Sequence, residues 1–148
     1  PQAVTLLGEG LSLSRRLHYT VNLMYCSCYL GVAYLLAGNL EQAVRLLTES
    51  IRMREQSGDY QGLAYCMLGL ADVASRHQRF VRAATLLGAA VAVLDSIGVT
   101  IFPAVQALAD QEARPARDQL GDAAFQAAYA VGRAMSTTEA VAFALDAP

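Results

Sequence analysis

At 148 residues, with 55% hydrophobic and 16% charged side chains, the chain is long enough to bury one core and too apolar to be disordered. A net charge of −2 gives no global attraction to nucleic acid or anionic membranes, and no apolar run reaches the ~18 uninterrupted residues of a membrane span. All eleven basic residues are Arg, which fits GC-rich bacterial coding, and three cysteines without framework spacing point to a reducing cytoplasm.

The chain opens at Pro1 without an initiator Met or a signal-type leader, and it reads as a piece of a longer protein. Residues 1–18 begin a pattern that recurs at a forty-residue offset: Leu6-Leu7 falls on Leu46-Leu47 and on Leu86-Leu87. Val4, Val44 and Ala84 align, as do Leu11, Ile51 and Val91, and Tyr25-Cys26 falls on Tyr65-Cys66. Leu30 matches Leu70, Leu40 matches Phe80, and Ala43 matches Ala83. So many matches at one ungapped offset mark a structural unit.

Each unit predicts two helices. The first, over 22–37 and again over 62–77, is apolar nearly all round and so needs cover on several sides. Gly38-Asn39 then supplies residues that tolerate the left-handed conformation ending a helix. In the second helix, Leu40, Ala43, Val44, Leu47, Ile51 and Arg54 share one face, opposite Arg45, Glu49, Arg52 and Glu55. Its copy uses Phe80, Ala83, Ala84, Leu87, Ala90, Val91 and Leu94. Ser57-Gly58-Asp59 and Ile97-Gly98 separate the units, and connections this short force antiparallel neighbours.

From residue 99 the period stops. Pro103 suits the first turn of a helix, while Pro115 predicts a kink or break before Leu120-Gly121 ends the segment. A further helix starts at Asp122 with Phe125, Ala128, Tyr129 and Gly132 on one side, and Ser136-Thr-Thr-Glu139 has capping-box spacing before a last short helix. The domain reading is repeats over 1–98, with full units at 20–58 and 60–98, and a helical cap over 99–148 that covers the open end.

Leu30-Gly31, Tyr34, Gly38, Ala43, Leu47 and Ser50 resemble the tetratricopeptide repeat, with Leu70-Ala71, Ala74, Ala83, Leu87 and Ala90 as a degenerate second copy. The resemblance implies an all-α, right-handed stack of helix hairpins, in which residues 1–18 form the second helix of a repeat begun upstream. Ala83-Ala84, Leu86-Leu87-Gly88-Ala89-Ala90, Leu120-Gly121, Phe125, Tyr129, Gly132-Arg133, Ser136, Glu139 and Ala140 carry a more specific likeness. They resemble the C-terminal repeat region of LuxR- and AfsR-type bacterial transcriptional regulators, which carry a signal-transducing ATPase ahead of such repeats. No GxxxxGK[ST] phosphate loop and no helix-turn-helix occurs in these 148 residues, so ATP hydrolysis and DNA binding would belong to other parts of the parent.

Little in the chain points to chemistry. Cys26 and Cys28 point about 200° apart on a helix and cannot share a metal or a disulfide. Cys26 and its repeat equivalent Cys66 read as repeat core, and Cys28 as a residue of the opposite face. His18 and His77 stand alone at helix ends, without a nucleophile or zinc spacing. The basic run Arg76-His77-Gln78-Arg79-Phe80-Val81-Arg82 reads as a solvated loop, with contact to a phosphate or acidic partner as the alternative. No cofactor or metal is expected, and the reading is non-enzymatic.

The family resemblance implies a concave groove lined by first helices. Tyr25, Cys28, Val32 and Leu35 would face it in one unit, and Tyr65, Leu68, Asp72, Ser75 and Arg76 in the next. A groove of this character suits a partner helix, a peptide or an apolar ligand, and equally suits packing against upstream repeats. The functional expectation is an interaction or sensor module that relays binding to ATPase or DNA-binding parts of a bacterial regulator. The alternative is a general protein–protein scaffold or a homodimer formed through apolar surface on residues 1–18. Neither reading involves nucleic acid or membrane contact by this segment.

Overall fold

In the computed structural model, which describes residues 2–98 and 103–146, five residues with positive φ recur every twenty positions. They are His18 (53°), Gly38 (80°), Gly58 (73°), Gln78 (59°) and Gly98 (67°). Each ends a helix: α1 (Gln2–Arg16), α2 (Thr20–Leu36), α3 (Leu40–Ser57), α4 (Tyr60–Arg76) and α5 (Phe80–Ser96). The first four turns share one hydrogen-bond pattern. The N–H groups of Tyr19, Asn39, Asp59 and Arg79 donate to the carbonyls of Ser14, Tyr34, Arg54 and Ala74 at 2.8–3.0 Å. The preceding N–H in each turn, from His18, Gly38, Gly58 or Gln78, reaches back three residues. This is the Schellman closure, which satisfies carbonyls that a helix end would otherwise leave bare. Asn39 and Asp59 then cap the next helices by accepting the N–H of Gln42 and of Gly62.

Because one helix plus its turn always takes twenty residues, successive helices run antiparallel and pack in sequence. Leu47 of α3 locks two units together. It is fully buried, and a Cβ added at Gly31 of α2 would sit 3.0 Å from its Cγ, while one at Gly69 of α4 would sit 2.9 Å from its Cδ1. The main core joins α4 and α5 to the C-terminal helices, and a satellite of Leu11, Leu30 and Leu46 ties α1 to α2 and α3.

The two first helices differ in cover. Helix α4 packs against α3, α5 and α6 as well as α2, and most of its side chains are buried. Helix α2 contacts α1, α3 and α4, and leaves Val21, Tyr25, Tyr29 and Leu36 exposed. The apolar all-round pattern of α2 is therefore open on one side.

Three further helices cover the end of the stack: α6 (Pro103–Leu120), α7 (Asp122–Arg133) and α8 (Thr137–Leu145). Residues 99–102, where the cap was expected to begin, lie outside the described residues. Of the kink or break expected at Pro115, the break does not occur, since α6 runs through it to Leu120. Among its described side chains Ala113 and Ala116 are buried, while Pro115 and Gln111 are exposed, so the carbonyl that loses its proline partner can meet water. Gly121 (φ 77°) ends α6, and the Ser136–Glu139 capping box starts α8, with both reciprocal bonds formed.

Arg82 of α5 fastens α8 by donating to the carbonyls of Phe143 and Asp146 at 3.0 and 2.9 Å, its guanidinium 4.7 Å from the Phe143 ring centre. The basic run at 76–82 is thus partly consumed by the fold. Arg82 holds the cap, and Arg76 pairs with Asp72 at 3.0 Å.

A candidate interaction cleft between the first helices

Helices α2 and α4 lie side by side with the end of α3 beneath them, and between them opens a cleft of about 530 Å³. Tyr25, Cys28, Val32 and Leu35 line it from α2, and Tyr65, Leu68 and Asp72 from α4. These lie four or three residues apart on each helix, so each set forms one stripe. Ser75 and Arg76 do not line the cleft. Ser75 is 8% exposed and its hydroxyl has no hydrogen-bond partner, while the Arg76 guanidinium folds back onto the Asp72 carboxylate.

Other lining residues were not anticipated: Tyr29 and Leu36 on α2, Gln61 and Gly69 on α4, and the pair Arg54 and Asp59. Arg54 is the unusual one. Its side chain is only 2% exposed, yet it carries a full charge. Three contacts compensate for its removal from water. It pairs with Asp59, donates from Nε to Ser50 Oγ at 3.0 Å, and lies 4.9 Å from the centre of the Tyr25 ring. Gly62 makes room for it, because any Cβ there would overlap the guanidinium. The signal for Arg54 was present in the sequence, since it falls in phase with the apolar face of α3. A cation on a buried stripe needs an anion nearby, and Asp59 follows five residues later.

Tyr25 stacks on Tyr29 with ring centres 6.3 Å apart, so one edge of the cleft is an exposed pair of tyrosines anchored on a buried cation. On the opposite wall the Gln61 side-chain amide donates to the Tyr65 hydroxyl at 3.0 Å, holding that ring in place.

The cysteines meet in an arrangement that repeat offset did not foresee. Cys66 lies not beside its repeat equivalent Cys26 but 3.4 Å from Cys28, sulfur to sulfur, and its S–H donates to Cys28 Sγ. Cys66 is fully buried, Cys28 is nearly so while lining the cleft, and Cys26 packs in the satellite core. The Cys66 hydrogen bond lowers the Cys28 pKa from its ordinary value against the opposing effect of burial, and the Arg54 charge adds to the lowering. The same bond, with burial, raises that of Cys66 well above its ordinary value.

The cleft can therefore do the following. It presents an apolar trough with two tyrosines at its rim, hydrogen-bonding groups at one end, and an internally neutralised ion pair at its base. It does not gather a nucleophile, a base and an orienting group. Among the described residues no cluster of His, Cys, Asp or Glu could hold a metal ion, and no helix is long and apolar enough to cross a membrane.

The family model of the tetratricopeptide repeat matches residues 19–96, spanning α2 to α5. No curated protein and no solved structure matches the chain.

Proposed function

Given that the chain belongs to the tetratricopeptide repeat family, whose members serve generally as non-catalytic protein-interaction modules, we propose that it binds a protein partner in the α2/α4 cleft. The observation that carries this is the open apolar stripe of α2 facing that of α4, with Tyr25 and Tyr29 exposed at its rim. A trough with this lining fits an amphipathic helix or an extended peptide presenting apolar anchors, and the tyrosines supply rigid contact area at low entropic cost. Binding to an array of amphipathic and extended peptides provides the test. Leu36→Glu and Tyr25→Ala should each abolish capture while leaving helicity unchanged, since both side chains line the cleft and are exposed; binding that survives both substitutions would rule the cleft out.

We further propose that the partner signal is relayed within a bacterial transcriptional regulator of LuxR or AfsR type, in the cytoplasm. The support is the sequence likeness over 83–90 and 120–140, which the fold uses to dock the cap on α5. A parent gene that encodes neither an ATPase nor a DNA-binding segment would overturn this part alone.

A second reading, self-association, is favoured by a separate observation. Leu6, Leu13, Leu17, Tyr19 and Val21, on α1, the turn after it and the start of α2, are all more than half exposed. Sedimentation of the chain should then give a dimer, and Leu13→Glu a monomer. A monomeric wild type would remove this reading and leave the cleft proposal intact.

A further inference from the structure

We propose that Cys28 and Cys66 form a dithiol that hydroperoxides oxidise to a disulfide, joining α2 to α4 along the cleft. The inference does not depend on what the cleft binds. It rests on four observations that concern the thiols themselves.

The sulfurs are already in contact at 3.4 Å, a short approach from the ~2.05 Å of a disulfide bond. The two thiols are unequal. Cys28 lines an open cleft that a molecule of peroxide size can enter, whereas Cys66 is fully enclosed. Cys28 also has the surroundings that favour a thiolate: an S–H donor from Cys66 and the buried Arg54 charge. Finally, the enclosed sulfur is the one held against it, so the reactive and the resolving roles fall to different residues.

The chemistry balances with the hydroperoxide as sole oxidant. The Cys28 thiolate attacks one peroxide oxygen, the O–O bond breaks, and hydroxide leaves to take up a proton as water. Cys28 is then a sulfenic acid. The Cys66 sulfur attacks the Cys28 sulfur, the S–O bond breaks, and the departing hydroxide leaves as water with the Cys66 proton. One hydrogen peroxide and two thiols give one disulfide and two waters. Ser50 accommodates the change, because its hydroxyl lies 3.5 Å from Cys66 Sγ and retains its bonds to the Met24 carbonyl and to Arg54.

The test is titration of the intact chain with hydrogen peroxide, followed by alkylation, intact mass and peptide mapping. The wild type should lose two of its three alkylatable thiols and the mass of two hydrogen atoms, with the link mapping to Cys28–Cys66 and Cys26 still free. A Cys66→Ser variant should instead accumulate a sulfenic acid at Cys28 that a cyclic 1,3-diketone traps. A Cys28→Ser variant should leave Cys66 unoxidised at the same dose. Links that run through Cys26 or between chains, or a wild type that holds Cys28 as a stable sulfenic acid, would overturn the assignment. The wild-type map needs no substitution, so the result stands even if a variant folds poorly.

Discussion

Gly88 of α5 and Gly132 of α7 face each other across a crossing where the two backbones touch. A Cβ built on Gly88 would overlap the Tyr129 carbonyl oxygen, and one built on Gly132 would overlap the Thr85 carbonyl oxygen and come within 2.7 Å of the Ala89 nitrogen. The Thr85 hydroxyl donates to the Ala128 carbonyl at 3.2 Å across the same crossing. The cap is therefore seated by the absence of side chains. Gly132→Ala should cost about 3 kcal/mol or more, because the obstacle is backbone that cannot rotate away. That loss exceeds the ~1 kcal/mol that alanine returns in helix propensity. Gly8→Ala is the control, since nothing lies within 4 Å of a Cβ there, and it should stabilise by about 0.5–1 kcal/mol. Urea denaturation of the pair checks both signs.

Leu47→Ala should be among the costlier aliphatic truncations in the chain. The leucine fills a notch whose walls are Gly31 and Gly69. Glycines have no side chains to move into the space, so the cavity stays, and the loss should fall in the upper half of the roughly 2–5 kcal/mol range for such changes. A cost below about 1.5 kcal/mol in chemical denaturation would mean that the helices close over the gap.

The sequence was most informative where one physical signal governs one feature. The forty-residue offset and the glycines at 38, 58 and 98 located the helix hairpins, because a repeated core needs repeated apolar residues and a helix stop favours glycine. His18 and Gln78 occupy the same left-handed positions without announcing it, since neither residue type signals that conformation. At Pro115 the helix is not broken, because a local rule takes no account of which side of a helix faces water. Cys66 is the repeat equivalent of Cys26, and equivalent residues occupy equivalent faces one hairpin apart and do not touch. Contact is made by the residue that faces forward from one first helix, Cys28, and the one that faces back from the next.

Gln78→Gly should stabilise the protein. A non-glycine residue at φ 59° carries steric strain of about 1–2 kcal/mol, part of which glycine gives back through its freer unfolded chain. The net gain should be about 0.5–1 kcal/mol, with His18→Gly behaving alike. Gly38→Ala should do the reverse at φ 80°, although nothing crowds its Cβ position, so the effect isolates backbone strain from packing. Equal thermal stabilities across the three variants would contradict this account of the turns.

Arg54 and Asp59 should respond unequally to removal of their partner. Asp59→Ala leaves a guanidinium that is 2% exposed without its counterion and also strips the cap from the Gly62 N–H. A loss of about 3–5 kcal/mol is expected, as for other buried charges left alone. Arg54→Met fills similar volume with an apolar side chain, and the Asp59 carboxylate it abandons is 30% exposed, so water takes over part of the solvation. That variant should lose clearly less, while Arg54→Lys recovers little because a single ammonium cannot serve Ser50, Asp59 and the Tyr25 ring together. Urea midpoints of the three variants and of the double substitution test the order. If Arg54→Met proves costlier than Asp59→Ala, the ion pair is held by packing around the arginine stem rather than by its charge.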